Sequence, residues 1–163
     1  GWRNHKLCNK RALWRRIESE RNVMNQELKG NEKIEEAILM IQQEPSMDTL
    51  SFAILSINRR MREGGKLILS VESAAPAEGQ LPIRVLEIDG EEWWVAFTSF
   101  EEQSKGSDAL QSTFLVDMDQ LFHAAMSEKR VGGIVLNPWN RTLQLDRKLI
   151  AMVIGLQDHP TED

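Results

Sequence analysis

The chain has 163 residues, of which 20 are Lys or Arg and 25 are Asp or Glu, for a net charge of −5, with 41% hydrophobic residues and one cysteine. That length suits one domain with a real core and room for an appended arm. The balance excludes wholesale disorder, the lone Cys8 excludes an internal disulfide or a zinc framework, and no apolar run approaches the roughly 20 residues of a membrane span.

The charge is unevenly spread. Residues 1–22 hold seven cations (Arg3, Lys6, Lys10, Arg11, Arg15, Arg16, Arg21) against Glu18 and Glu20, a net +5, which leaves −10 on the remainder. A basic arm on an acidic body is one expectation. Within it, residues 11–28 carry Leu13, Ile17, Met24 and Leu28 as an intermittent helical stripe beside Trp14, and Gly30 is a plausible stop. Ile34, Ala37, Ile38 and Ile41 follow at i, i+3, i+4 and i+7, so a second helix is expected before Pro45. A third, from about Thr49, aligns Leu50, Ala53, Ile54, Ile57 and Met61, with Asp48 expected as its cap and Gly64-Gly65 as its exit.

The period then changes from helical to alternating. Strands are expected at 66–72, 82–88, 91–98, 112–116, 134–136 and 142–145, with a loop at 74–80 and a polar loop at 105–109. Asp89-Gly90 is a hairpin signal leading into Glu91-Glu92-Trp93-Trp94-Val95-Ala96-Phe97-Thr98. Alternation puts Trp93, Val95 and Phe97 on one side, expected to face the main core, and leaves Trp94 on the other, partly covered. Ser99 with Glu102 reads as a capping box opening a short helix, and Asp117 with Gln120 as a second cap. Gly132-Gly133 is expected as a turn before a short apolar strand, Asn137-Pro138-Trp139-Asn140 as a turn, and Asp146 as the cap of a last helix ending at Gly155.

Helices first, then strands mixed with helices, define an α/β class with α+β left open: a mixed sheet with an antiparallel hairpin packed against helices, preceded by a helical arm. The expected organisation is an arm at 1–30, the α/β domain at 31–155 and a disordered tail at 156–163.

Three elements in order, Trp93-Trp94-Val95-Ala96-Phe97-Thr98-Ser99, the helix beginning Asp117-Met118-Asp119-Gln120-Leu121, and Gly133-Ile134-Val135-Leu136-Asn137-Pro138, resemble the N-terminal domain of the bacterial SseB family, named for enhanced serine sensitivity. The resemblance covers about residues 31–155. It implies an α/β domain without an established activity and contributes no catalytic residues.

Side chains that carry chemistry are sparse. Ser99 and Cys8 lack a Gly-x-Ser-x-Gly elbow or an evident base, and His5, His123 and His159 lack ligands at metal spacing. Gly64-Gly65 and Gly132-Gly133 precede strands, whereas phosphate loops follow them. Glu91-Glu92 and Glu101-Glu102 are adjacent pairs that point apart. The expectation is therefore no catalytic residue, no metal and no cofactor. The sequence points to a non-enzymatic cytoplasmic protein-interaction module that binds a protein partner or a second copy of itself. Trp139 and Arg141 in the polar turn, Trp94 on the strand, and Trp14, Arg15 and Ile17 on the arm are the candidate contacts. The alternative is a nucleic-acid-associated protein using the basic arm.

Overall fold

Caps and a left-handed glycine divide the first part of the chain into three helices. The computed structural model describes residues 2–70, 83–106 and 113–156, without the side chains of residues 2–10, 17, 20 and 21. The expected loop at 74–80, part of that at 105–109 and the tail from 157 fall outside the described residues.

Helix α1 (Trp2–Glu27) gives way to a turn at Gly30, whose φ of +105° is a conformation that other residues rarely adopt. Helix α2 (Glu32–Gln43) buries Ile34, Ala37 and Ile38 as its period requires. Helix α3 (Met47–Arg62) is capped by Ser46 instead of the expected Asp48. Ser46 Oγ accepts from the Thr49 N–H and Thr49 Oγ1 accepts from the Ser46 N–H, both at 3.0 Å, so the Thr hydroxyl closes a reciprocal box. Asp48 instead lies in the first turn, where a carboxylate complements the helix dipole.

Among the described residues six strands follow: β1 (Lys66–Ser70), β2 (Val85–Ile88), β3 (Glu91–Ala96), β4 (Thr113–Asp117), β5 (Val131–Leu136) and β6 (Leu143–Asp146). The order β2-β3-β5-β6 makes one sheet in which β3 and β5 are parallel and the outer pairs antiparallel. Strands β1 and β4 form an antiparallel pair. The two sheets are stitched where Ile68 and Phe97 exchange both backbone hydrogen bonds at 2.9 Å. The β2–β3 turn has positive φ at Asp89 (52°) and Gly90 (82°), the conformation for which Asp-Gly is suited. Short α4 (Phe100–Ser104) follows β3, α5 (Met118–Ser127) joins β4 to β5, and α6 (Arg147–Gly155) follows β6. The protein is therefore of the α/β class, with a mixed sheet, an antiparallel hairpin and a helical N-terminal region.

The sheet has apolar material on both faces. Trp94, Ala96, Ile134, Leu136, Leu143 and Leu145 meet the inward residues of α2, α3, α5 and α6 in the main core. Val95 and Phe97 join Ile68 and Leu28 in a smaller cluster against Leu86, Phe100 and Leu115. The alternation along β3 is as expected, but the assignment of faces is reversed: Trp94 belongs to the main core and the Val95–Phe97 side to the second cluster. Trp93 is buried too, at 7% exposure, because its ring lies over Gly132 and Gly133.

That packing also corrects the reading of Gly132-Gly133. Both lie inside β5, buried, and not in a turn before it. A Cβ on Gly133 would come within 2.2 Å of the Leu145 carbonyl oxygen and 2.7 Å of the Trp93 ring. The strand therefore begins earlier than the apolar run suggests.

Two further caps differ in detail. Asp146 caps α6 as expected, accepting from the Leu149 N–H at 2.8 Å. Asp117 precedes α5 but makes no side-chain cap, because Lys66 Nζ takes its carboxylate across the β1–β4 pair. That hydrogen bond holds the Lys66 ammonium above its ordinary pKa. The far end of α5 is closed by Arg147, whose Nη1 donates to the carbonyls of Ala125, Glu128 and Val131 and whose Nη2 donates to that of Met126.

Candidate functional site

Ligands in open α/β sheets collect beyond the carboxyl ends of parallel strands, here the ends of β3 and β5. This region is tied shut. The Thr98 N–H donates to Asn137 Oδ1 at 2.9 Å, and Asn137 Nδ2 donates to Thr98 Oγ1 at 3.0 Å. Thr98 Oγ1 in turn donates to Glu35 Oε2 on α2. Asn31 Nδ2 reaches the carbonyls of Lys66 (2.8 Å) and Thr98 (3.1 Å), while its Oδ1 accepts from Arg60 Nε at 2.9 Å. Asn137, fully buried, is held at φ +49°, a left-handed conformation that Asn tolerates better than most residues. A cleft of about 260 Å³ opens over this knot, lined in part by Glu32, Glu35, Thr98, Ser99 and Glu101. Within it the Thr98 hydroxyl is taken up by Asn137 and Glu35, and the Asn31 amide by two carbonyls and Arg60.

Ser99 caps α4 as expected, accepting from the Glu102 N–H at 3.2 Å. The reciprocal half of the expected box is absent. The buried Glu102 carboxylate instead accepts from Asn140 Nδ2 at 2.7 Å and from the Arg141 N–H at 3.1 Å, pinning the turn after β5. Asn137→Ala is expected to destabilise the fold by about 2 kcal/mol, since it strips two bonds from Thr98 and puts alanine at positive φ. Asn137→Gly should recover the backbone part of that loss in urea denaturation, leaving a smaller deficit.

The candidate contact residues separate into three places. Trp94 is 8% exposed within the core, which takes its ring off the surface. Trp139 and Arg141 sit on the turn after β5. The Trp139 indole lies on Gly106, where a Cβ would be 2.2 Å from the ring, and the Arg84 guanidinium stands 5.4 Å from the ring centroid. Trp139 stays 37% exposed, so it covers the chain after α4 and still offers an edge to solvent. Arg141 is half-buried.

Trp14 and Arg15 lie on α1, far along the chain from this turn. All side chains from residue 11 to 16 are exposed, Trp14 at 64% and Leu13 at 54%, and Val23 further along at 59%. The Ile17 side chain is outside the described set. Among the described residues the ties to the body come after this stretch: Leu28 is buried in the second cluster, and Glu27 Oε1 lies 3.9 Å from Lys66 Nζ. The Arg60 guanidinium sits between Gly30 and Gly65, each of whose Cβ positions would be 3.0 Å from it, and its Nη1 pairs with Glu63 at 3.0 Å. The end of α1 is thus held against the body, and its described side chains from residue 11 to 16 are bare.

Among the described residues no group of three or more His, Cys, Asp or Glu side chains is placed to hold a metal. The His123 ring is exposed and bonds only within its own helix, to Asp119. No helix among them is long and apolar enough to cross a membrane.

What these features define is an α/β domain whose strand ends are closed by an Asn–Thr–Asn network and whose N-terminal helix stands out from it. Residues 56–152 match the SseB protein N-terminal domain, more than half of the chain, and the protein belongs to that family. No curated protein and no solved structure matches it. The matched span contains Phe97-Thr98-Ser99 and the Gly-x-x-x-Asn-Pro run, and Thr98 and Asn137 are the residues that bond to each other. Sequence reasoning missed Asn31, Arg60 and Arg147. Their only signal is negative: polar side chains beside apolar stripes with no local partner to satisfy them.

Proposed function

We propose that this SseB-family protein is a non-enzymatic, cytoplasmic interaction module whose contact element is α1. The observation that supports the reading most is the exposure of Leu13, Trp14 and Val23 on a 26-residue helix. A lone helix gains little stability in water unless its apolar side chains are covered, and an exposed Trp flanked by Arg is the composition of an interface anchor. The closed network at the strand ends fits a supporting role better than turnover.

A photo-reactive phenylalanine derivative in place of Trp14 is expected to crosslink a protein in the native cell, while the same group at the exposed Arg59 on α3 is not. Absence of any protein adduct at position 14 would remove this reading. Arg11, Arg15 and Arg16 around Trp14 favour nucleic-acid association as a second reading. A nucleic-acid adduct at position 14, with affinity falling steeply as salt rises, would replace the first with the second.

A further inference from the structure

The hairpin β2–β3 carries an unusual concentration of negative charge. Glu87, Asp89, Glu91 and Glu92 are all exposed within six residues. Glu87 and Glu92 are direct cross-strand partners, an arrangement in which like charges repel. The turn before β5 brings Lys129 and Arg130 toward this end of the sheet, yet among the described residues no hairpin carboxylate forms an ion pair. Near the root of α1, Glu32 accepts from the Gly30 N–H at 2.9 Å, Glu35 from Thr98 and Glu102 from the turn after β5, which among the described residues leaves Glu101 as a single free carboxylate there against four clustered on the hairpin. Strand β2 is also an outer strand of its sheet, and Val85, on the same face as Glu87 and Glu92, is 38% exposed.

The outer part of α1 presents the complement. Arg11, Trp14 and Arg15 are spaced i, i+3, i+4 and so share one face, an aromatic ring between two cations. The helix roots at Leu28, and at about 1.5 Å per residue these side chains stand about 20–25 Å along the rod from that anchor. They are exposed there, away from their own body.

Building on α1 as the contact element, we propose that its occupant is a second copy of this chain. The Arg11–Trp14–Arg15 face of one copy lies on the Glu87–Val85–Glu92 face of the other. The cations neutralise the opposed glutamates and Trp14 covers Val85. In the proposed dimer the exchange is reciprocal about a two-fold axis, so that both arms and both hairpins are occupied.

The test is a charge swap read by sedimentation. The full chain is expected to dimerise, with a dissociation constant that rises with salt. The hairpin variant Glu87→Lys/Glu92→Lys and the arm variant Arg11→Glu/Arg15→Glu should each lose at least tenfold in self-association. Mixed together, the two variants should regain a 1:1 dimer, because both contacts are then again between opposite charges. That recovery also establishes that both variants are folded. A chain that is monomeric at every concentration, a dimer indifferent to either variant, or a mixture that fails to reassociate while each variant melts like the parent would each overturn the proposal. A monomeric chain that still gives an adduct to a different protein at position 14 overturns this inference and leaves α1 as the contact element.

Discussion

Trp94→Ala is expected to lower the stability of the domain by about 3–5 kcal/mol, the cost typical of removing a large aromatic from a packed core. Trp94 points from β3 into the cluster shared by four helices, among them α5 with the fully buried Phe122. Loss of its ring opens a void that several elements must collapse to fill. Trp93→Phe provides the contrast. The Trp93 ring is also buried, but its Nε1–H has no hydrogen-bond partner in the protein. Phenylalanine removes that orphan donor along with some contact area, so the two effects oppose each other and the change should stay within about 1 kcal/mol. Thermal melts of the two variants would test the reversal of faces directly. A severe loss at Trp93→Phe with a mild one at Trp94→Ala would mean that the main core lies on the other side of the strand.

Gly133→Ala should cost about 3 kcal/mol, at the upper end for an added methyl group. The obstacle is backbone: the new Cβ would sit 2.2 Å from the Leu145 carbonyl oxygen on β6 and 2.9 Å from Asp146 Cα. Neither atom can rotate away, so β5 and β6 must separate or β5 must shift in register. At Gly132 the nearest atoms are instead the side chains of Trp93 and Glu91, at 2.6 and 2.7 Å. Gly132→Ala should therefore be milder, as one of these can move. Urea titration of the pair distinguishes a strand that contains both glycines from a turn, in which the two substitutions would behave alike.

The parts of the fold that could be read from the sequence are those that local physics decides. The Asp89-Gly90 turn, the Asp146 cap, the Gly30 stop and the inward stripe of α2 each depend on residues within a few positions of one another. What was misread depends on distant partners. Alternation sorts Trp93 from Trp94 but cannot say which set meets the helices when both faces of the sheet are buried. Gly132-Gly133 looks like a turn until a Trp from the neighbouring strand needs flat ground. Asp117 and Glu102 have cap-like spacing, but Lys66 and Asn140, far away in sequence, compete for their carboxylates and win. For the candidate surface, the exposure of Trp14 and Arg15 was legible because an arm without an internal partner leaves its side chains bare. Trp94 was not, because a strand Trp looks the same whether it faces solvent or helices.

The clamp at Gly30, Asn31 and Arg60 turns α1 into a protractor. A helix fixed at its base converts residue count into angle, about 100° for each residue added. One alanine inserted between Asn22 and Val23 would swing the Arg11–Trp14–Arg15 face more than a quarter of the way around the rod while lifting it by only about 1.5 Å. Seven inserted residues would bring it back to within about 20° of its original azimuth but about 10 Å further out. Whatever α1 meets, its orientation relative to the sheet is thus written in the phase of the helix, and insertions of different length separate the demand for direction from the demand for reach.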